Sequence, residues 1–232
     1  MKKLLCVCFL LGVAVSCTHE YTRKDHSMYW QKHSAEYHAL CVQAYNIAKA
    51  KVDAALAIPS EKPLAIIADI DETVLNNLPY NEMLIDSSLS FTQKTWSHWV
   101  NKQVATPIPG ALEFFNYVDS QDVEIVYLSN RRVENYAPTK ANLISAGFPF
   151  YEDTQMLLRD KDGNKESRRN KLSDYNIVLL LGDNLADFEQ GFYKQPNENR
   201  IAHVDSLSHL FGDKFIVFPN LIYGTWEMGF EE

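Results

Sequence analysis

Residues 64–73 read Leu64-Ala65-Ile66-Ile67-Ala68-Asp69-Ile70-Asp71-Glu72-Thr73. Five apolar residues run without a break and then give way to acids. A short continuous apolar run marks a strand covered on both faces, as in a parallel sheet. Polar groups at its carboxyl end stand where open α/β sheets place their ligands. The figure recurs along the chain. Residues 123–128 lead into Ser129-Asn130-Arg131-Arg132, and residues 177–181 lead into Gly182-Asp183-Asn184-Leu185-Ala186-Asp187. Residues 215–218 form a fourth apolar run.

Helical stretches fill the gaps. Across 28–56, Tyr37, Leu40, Cys41, Ala44, Tyr45, Ala48 and Val52 recur at three- and four-residue steps. Residues 111–118, 133–146, 165–175 and 206–211 also read as helices. Strands alternating with helices predict an α/β fold, a central parallel sheet with helices on both faces. Residues 75–107 are aromatic, and Pro107 and Pro109-Gly110 close them. They read as a small helical or irregular cap insertion.

The chain has 232 residues and is 46% hydrophobic, which excludes a disordered or fibrous protein. That length suits one domain with a modest insertion. Lys+Arg 22 against Asp+Glu 30 gives a net charge of -8. Such a balance argues against binding nucleic-acid polymers, which needs cations facing phosphates. A small phosphate ester stays open, because a pocket can be positive on an acidic protein.

Lys2 and Lys3 precede an apolar run over 4–15, then Ser16-Cys17 and a polar turn. That is a secretory signal layout, too short for a comfortable membrane span. The Cys directly after the run is the lipoprotein pattern, although Ala14 stands where Leu is usual. Cys17 is therefore expected to be the lipidated first residue of an exported chain, anchored to the bacterial envelope at the outer membrane. A soluble periplasmic protein is the alternative. On this reading 1–17 is the signal with its lipidation Cys, 18–27 a tether and 28–232 one domain. Cys41 is left without a disulfide partner, which a core of this size permits.

The candidate chemistry lies at the strand ends. Asp69 and Asp71 repel unless a cation or a proton intervenes. One can remain ionised as nucleophile and metal ligand while the other carries a proton. Asp183 offers a second metal carboxylate beside Gly182, and Asp187 follows four residues on. Ser129 and Asn130 offer donors for phosphoryl oxygens. Lys165 offers positive charge, with Lys161 and Lys171 as neighbours.

Taken together, Asp69-Ile70-Asp71-Glu72-Thr73, Ser129-Asn130-Arg131, Lys165 and Gly182-Asp183-Asn184-Leu185-Ala186-Asp187 resemble the four ordered motifs of the haloacid-dehalogenase-like (HAD) phosphatases. Ser34-Ala35-Glu36-Tyr37, Lys94-Thr95-Trp96, Ile108-Pro109-Gly110-Ala111, residues 215–220 and Tyr223-Gly224-Thr225-Trp226-Glu227 extend the likeness to bacterial class C acid phosphatases, the lipoprotein 5'-nucleotidase family. It covers about residues 28–228.

The resemblance implies a Rossmannoid three-layer fold and a phosphomonoesterase. Asp69 would be the nucleophile, and Asp71 the acid and then the base. Ser129 and Lys165 would bind phosphoryl oxygens. Asp183, Asp69 and the backbone carbonyl of Asp71 would hold Mg²⁺, with Asp187 in support. The Lys-x-x-Arg spacing to Arg168 selects Lys165. Substrates would be nucleoside monophosphates and other small esters, with Tyr223, Tyr80 and Trp96 as candidates to stack on a base. The family is often dimeric, which implies a homodimer here. An acidic-to-neutral pH optimum follows if Asp71 must start protonated. A non-catalytic lipoprotein that binds haem or a nucleotide on this fold is the rival reading. The seven His residues show no metal-ligand spacing to support it.

Overall fold

The structure is a computed structural model and describes residues 23–228. The signal segment and Cys17 lie outside the described residues.

Two helices open the chain, α1 (Arg23–His33) and α2 (Ala35–Leu56). The single helix expected from 28 to 56 is broken at Ser34. Its backbone is extended, and its hydroxyl accepts from the Tyr37 N–H at 3.0 Å. A serine that caps the second helix cannot continue the first. The expected tether also gives way, because α1 already begins at Arg23. Helix α2 buries Tyr37, Cys41, Ala44, Tyr45, Ala48 and Val52, the stripe the spacing marks. Leu40 is the exception: it is exposed and lines a groove of about 370 Å³ shared with Phe211 and Phe215.

β1 (Leu64–Ala68) follows, then β2 (Leu75–Asn76), α3 (Leu78–Asp86), α4 (Gln93–Lys102) and β3 (Thr106–Pro107). Of the two readings of the insertion, the helical one describes it. β2 and β3 pair antiparallel and close its neck. Pro79 sits in the first turn of α3, where a missing N–H costs nothing. Thr92 and Thr95 form a reciprocal cap at the start of α4. Neither helix shows a long apolar stripe, which is why periodicity passed over them.

The rest of the chain is α5 (Ala111–Ser120), β4 (Glu124–Arg132), α6 (Tyr136–Ser145), β5 (Met156–Arg159), α7 (Glu166–Arg169), β6 (Asn176–Gly182), α8 (Asn197–Ser206) and β7 (Phe215–Val217). The charged helix expected over 165–175 shrinks to α7 and a 3-10 turn at Asn170–Leu172. The helix expected over 206–211 is a 3-10 turn at Ser208–Leu210, and the real helix, α8, precedes it.

The sheet runs β5-β4-β1-β6-β7, and every paired neighbour in it is parallel. The α/β expectation thus holds. Side chains alternate across β1: Ile66 and Ala68 join the core under α2 and α5, while Ile67 joins Val126, Leu128, Leu180 and Phe215 on the other face. Both faces are apolar, so the strand reads as an unbroken apolar run. From β1 the chain winds first toward β4 and β5, then returns to β6 and β7. The carboxyl ends of β1, β4 and β6 meet where that order reverses, which is where such sheets bind ligands. No helix among the described residues is long and apolar enough to cross a membrane.

Candidate active site

Asp69 leaves β1 with its N–H still bonded to the Leu181 carbonyl of β6 at 2.9 Å. The chain then turns sharply: Glu72 has φ of 57°, and the Val74 and Leu75 N–H groups both return to the Ile70 carbonyl. A non-glycine residue held in the left-handed region is uncommon and clusters at functional sites. The turn sends the two aspartates to different partners.

Asp69 is buried and meets Lys165, whose Nζ lies 2.5 Å from Asp69 Oδ1 and 2.7 Å from Asp187 Oδ1. Lys165 directly precedes α7 and is itself buried, which separates it from Lys161 and Lys171. Burial works against its charge, and Asp187 and Asp69 more than offset that, so the ammonium is held. Asp69 is pushed up to about 7 by burial, with Asp187 and Asp71 adding to the effect against the pull of Lys165.

Asp187 does not reach the site along a long helix. Asn184 caps a 3-10 turn at Leu185–Asp187, and Asp187 Oδ2 accepts from the Asn184 N–H at 3.0 Å. Gly182 makes room for it. A Cβ at that position would stand 2.4 Å from Asp187 Oδ2. Asp183 projects beside it, and burial, with Asp187 and Asp69 nearby, holds its carboxyl well above the ordinary range.

Asp69, Asp183 and Asp187 each bring one carboxylate oxygen to within 4.8 Å of the others. Three carboxylates around one ammonium leave an excess of negative charge and an all-oxygen donor set. That set fits a hard divalent cation. The Asp71 carboxylate stands outside this group of three.

Asp71 faces Arg131 instead. Arg131 Nη2 and Nε donate to Asp71 Oδ1 at 2.8 and 3.0 Å, and Asn77 Nδ2 donates to the same oxygen at 2.9 Å. Oδ2 is the less engaged oxygen, with Arg131 Nε at 3.3 Å and Ser129 Oγ at 3.5 Å. Arg131 also reaches Thr139 Oγ1 at 3.1 Å and lies 5.5 Å from the Trp96 ring. Its role went unread in the sequence, although its position was readable. Ser129 and Arg131 are two residues apart on one strand and so share a face.

Ser129 is fully buried, and its hydroxyl accepts from the Arg131 N–H at 3.0 Å. Arg168 pins this strand end: Nη1 donates to the Ser129 carbonyl and Nη2 to Asn130 Oδ1, both at 2.6 Å. Asn130 is exposed at the rim.

The aromatic candidates are placed differently from expectation. Tyr80 and Trp96 are buried in the core of the insertion. Tyr80 pairs with Thr95 Oγ1 at 3.0 Å, and its ring meets Trp96 edge-on at 5.0 Å. Neither presents a free face to a base. Phe91 is the exposed aromatic of that cluster, 6.4 Å from Trp96. Trp99 packs the insertion and donates to Asn77 Oδ1 at 2.9 Å. Tyr223 turns its hydroxyl inward to Glu72 Oε1 at 3.3 Å.

Glu72 also went unread. It is fully buried and accepts from the Asn77 N–H and from Gln31 Nε2, each at 2.9 Å. Burial pushes it up to about 7, against the hydrogen bonds from Asn77 and Tyr223.

A parallel sheet with a buried aspartate, a buried lysine and a carboxylate cluster at its switch point is the frame of a HAD-type phosphatase site. The family model described as HAD superfamily, subfamily IIIB (Acid phosphatase), matches residues 14–226, and the chain belongs to that family. The crystal structure of the class C acid phosphatase from Bacillus anthracis, solved with tungstate bound, is similar to this chain. It is 40% identical with a TM-score of 0.84, over 88% of this chain and 86% of that one. A stem 31 kDa glycoprotein of Glycine max is 34% identical over 146 residues, 56% of this chain and 57% of the relative. Acid phosphatase 1 of Solanum lycopersicum is 28% identical over 130 residues, 52% of this chain and 50% of the relative. The chain thus spans little more than half the length of these two plant relatives.

Proposed function

We propose that this protein is a Mg²⁺-dependent phosphomonoesterase that works through an aspartyl-phosphate and acts on nucleoside monophosphates and other small esters outside the cytoplasm. The observation that carries this reading is Lys165, held between Asp69 and Asp187 beside Asp183. It sets a fixed positive charge next to a buried nucleophile. Asp69, Asp183 and the Asp71 carbonyl would hold Mg²⁺, with Asp187 in support, and the ion would offset charge between the phosphate and the carboxylates.

The chain's own groups divide the work. Lys165 and Ser129 hold phosphoryl oxygens. Asp69 attacks phosphorus with a carboxylate oxygen, and the phosphorus–ester oxygen bond breaks. Asp71 gives a proton to the leaving oxygen from Oδ2, the oxygen that Arg131 leaves less engaged. Water then attacks the phosphorus of the aspartyl-phosphate and returns its proton to Asp71. Asp69 and inorganic phosphate are released. The need for a proton on Asp71 sets an acidic-to-neutral optimum, and a rate still rising through pH 9 would contradict that role.

The nucleotide reading is supported by the insertion, which adjoins the site through Trp96 and Arg131. Phe91 adjoins Trp96, which lies over Arg131, which holds Asp71. Phe91, the exposed ring of this insertion, would stack on the base. At the other end of the chain, Cys17 would carry lipid at the outer membrane, and the assembly would be a homodimer.

The test is phosphate release from a panel of nucleoside monophosphates and aryl phosphates by protein lacking residues 1–17, with Mg²⁺ and with chelator. Release from the nucleotides, loss with chelator and loss in Asp69→Asn are expected. Tight haem or nucleotide binding without turnover would instead support the non-catalytic reading. Cys17→Ala should move the full chain from the membrane to the soluble periplasmic fraction, and gel filtration would read the dimer.

A further inference from the structure

After β7 the chain runs back over residues 182–187, the cation loop that carries Asp183 and Asp187. The Phe218 N–H first bonds the Gly182 carbonyl at 2.9 Å. Asn220 then closes a turn, with Oδ1 accepting from the N–H groups of Ile222 at 3.0 Å and Tyr223 at 3.4 Å. With the oxygen so engaged, the amide nitrogen has one way to face. Nδ2 donates to Asp183 Oδ2 at 2.8 Å. Further on, the Tyr223 hydroxyl donates to Glu72. Thr225 and Asn184 exchange two hydrogen bonds, at 2.8 and 3.2 Å. Asn197 Nδ2 donates to the Trp226 carbonyl at 2.8 Å. Residues 220–226 thus touch Asp183, Asn184 and Glu72, each of them a candidate ligand or next to one. The Asn220, Tyr223 and Thr225 side-chain contacts add nothing to the sheet.

We propose that residues 220–226 form a clasp on the cation loop, with Asn220 as the positioning residue for Asp183. Donation to Oδ2 fixes the carboxylate and leaves Oδ1 for the divalent ion. The clasp and the ion then stabilise one another, because coupling between two binding events is reciprocal. A partner that orients a ligand in advance removes part of the ordering cost of binding. Such partners commonly change metal affinity by about 10–100-fold when removed. The inference rests on the reading that Asp183 holds the cation.

The experiment uses metal-free protein and Mg²⁺ alone. Calorimetric titration should show Asn220→Ala weakening Mg²⁺ binding by about 10–100-fold. Thr225→Val, which touches no ligand, should weaken it by less and in the same direction. In the unmutated protein, Mg²⁺ should slow chymotrypsin cleavage after Tyr223 and Trp226, read by mass spectrometry. Asp183→Asn should abolish both the binding and the protection. Unchanged Mg²⁺ affinity in both tail variants, or cleavage indifferent to Mg²⁺, overturns the clasp. If Asp183→Asn binds Mg²⁺ as the unmutated protein does, the cation reading itself fails and takes the clasp with it. Should Asn220→Ala not fold, Thr225→Val and the cleavage experiment decide.

Discussion

Lys165 is one ammonium shared by two buried carboxylates. Replacing it with a neutral chain leaves Asp69 and Asp187 facing each other with no compensating charge. Removing one side of a buried ion pair costs about 3–5 kcal/mol. Lys165→Met is therefore expected to lose stability of that order in urea unfolding of the metal-free protein, and to lose phosphatase activity as well. Arg131 calls for a different test. Its guanidinium makes two short bonds to one oxygen of Asp71 and a longer one to the other, and so fixes where the carboxyl points. Arg131→Gln should lower kcat about 100-fold, the usual consequence of a misplaced reacting group. KM should change little, and steady-state kinetics with an aryl phosphate would show both. An unchanged kcat would remove Arg131 from the machinery. Motif spacing was enough to choose Lys165 among three neighbouring lysines. It was not enough to show that Tyr80 and Trp96 pack inward, because an aromatic side chain looks the same in a sequence whether it stacks on a ligand or on a neighbour.

The break at Ser34 lets α1 lie apart from α2 and bring Gln31 to Glu72. Loss of such a cap typically costs about 1 kcal/mol. Ser34→Ala is expected to lower stability by that amount in thermal unfolding, and a fused, equally stable helix would contradict the assignment. Four strands were legible because their apolar runs are continuous, with both faces buried along most of β1, β4 and β6. β5 was not: it is four residues long at the sheet edge, with alternate residues only half-buried. α8 was missed for a related reason, since Arg200 is its one buried residue and it has no apolar stripe to repeat. The insertion helices were lost to Pro79 and to polar residues that serve each other. What stayed hidden is the structure whose partners are polar or distant, for which no period exists.

The acidity of the chain, a net charge of -8, is concentrated in part where it costs most. Asp69 and Glu72 both rise to about 7 on burial. An ordinary carboxyl titrates near 4, so the native state holds these protons more tightly than the unfolded chain. Stability of the metal-free protein should then be greatest below that ordinary range and fall as pH rises toward about 7. Thermal unfolding with chelator is expected to give a higher Tm at pH 5 than at pH 8. Saturating Mg²⁺ should shrink the difference, since the cation and the proton on Asp69 compete for the same carboxylate. A Tm that climbed from pH 5 to pH 8 without metal would contradict the burial argument.

The contact between Asp69 and Lys165 joins residues 96 positions apart. Chains are synthesised at roughly 5–20 residues per second, so the aspartate emerges about 5–20 s before its lysine. During that interval Asp69 is an ordinary solvated carboxylate with no ammonium, no Asp183 and no cation loop. On the proposed mechanism, a chain that stops short of Lys165 lacks the ammonium and the second metal carboxylate, and it is expected to release no phosphate. If Asp69 is the nucleophile, competence waits for the later half of the chain, and turnover would report that Lys165 and Asp183 have been made and folded into place.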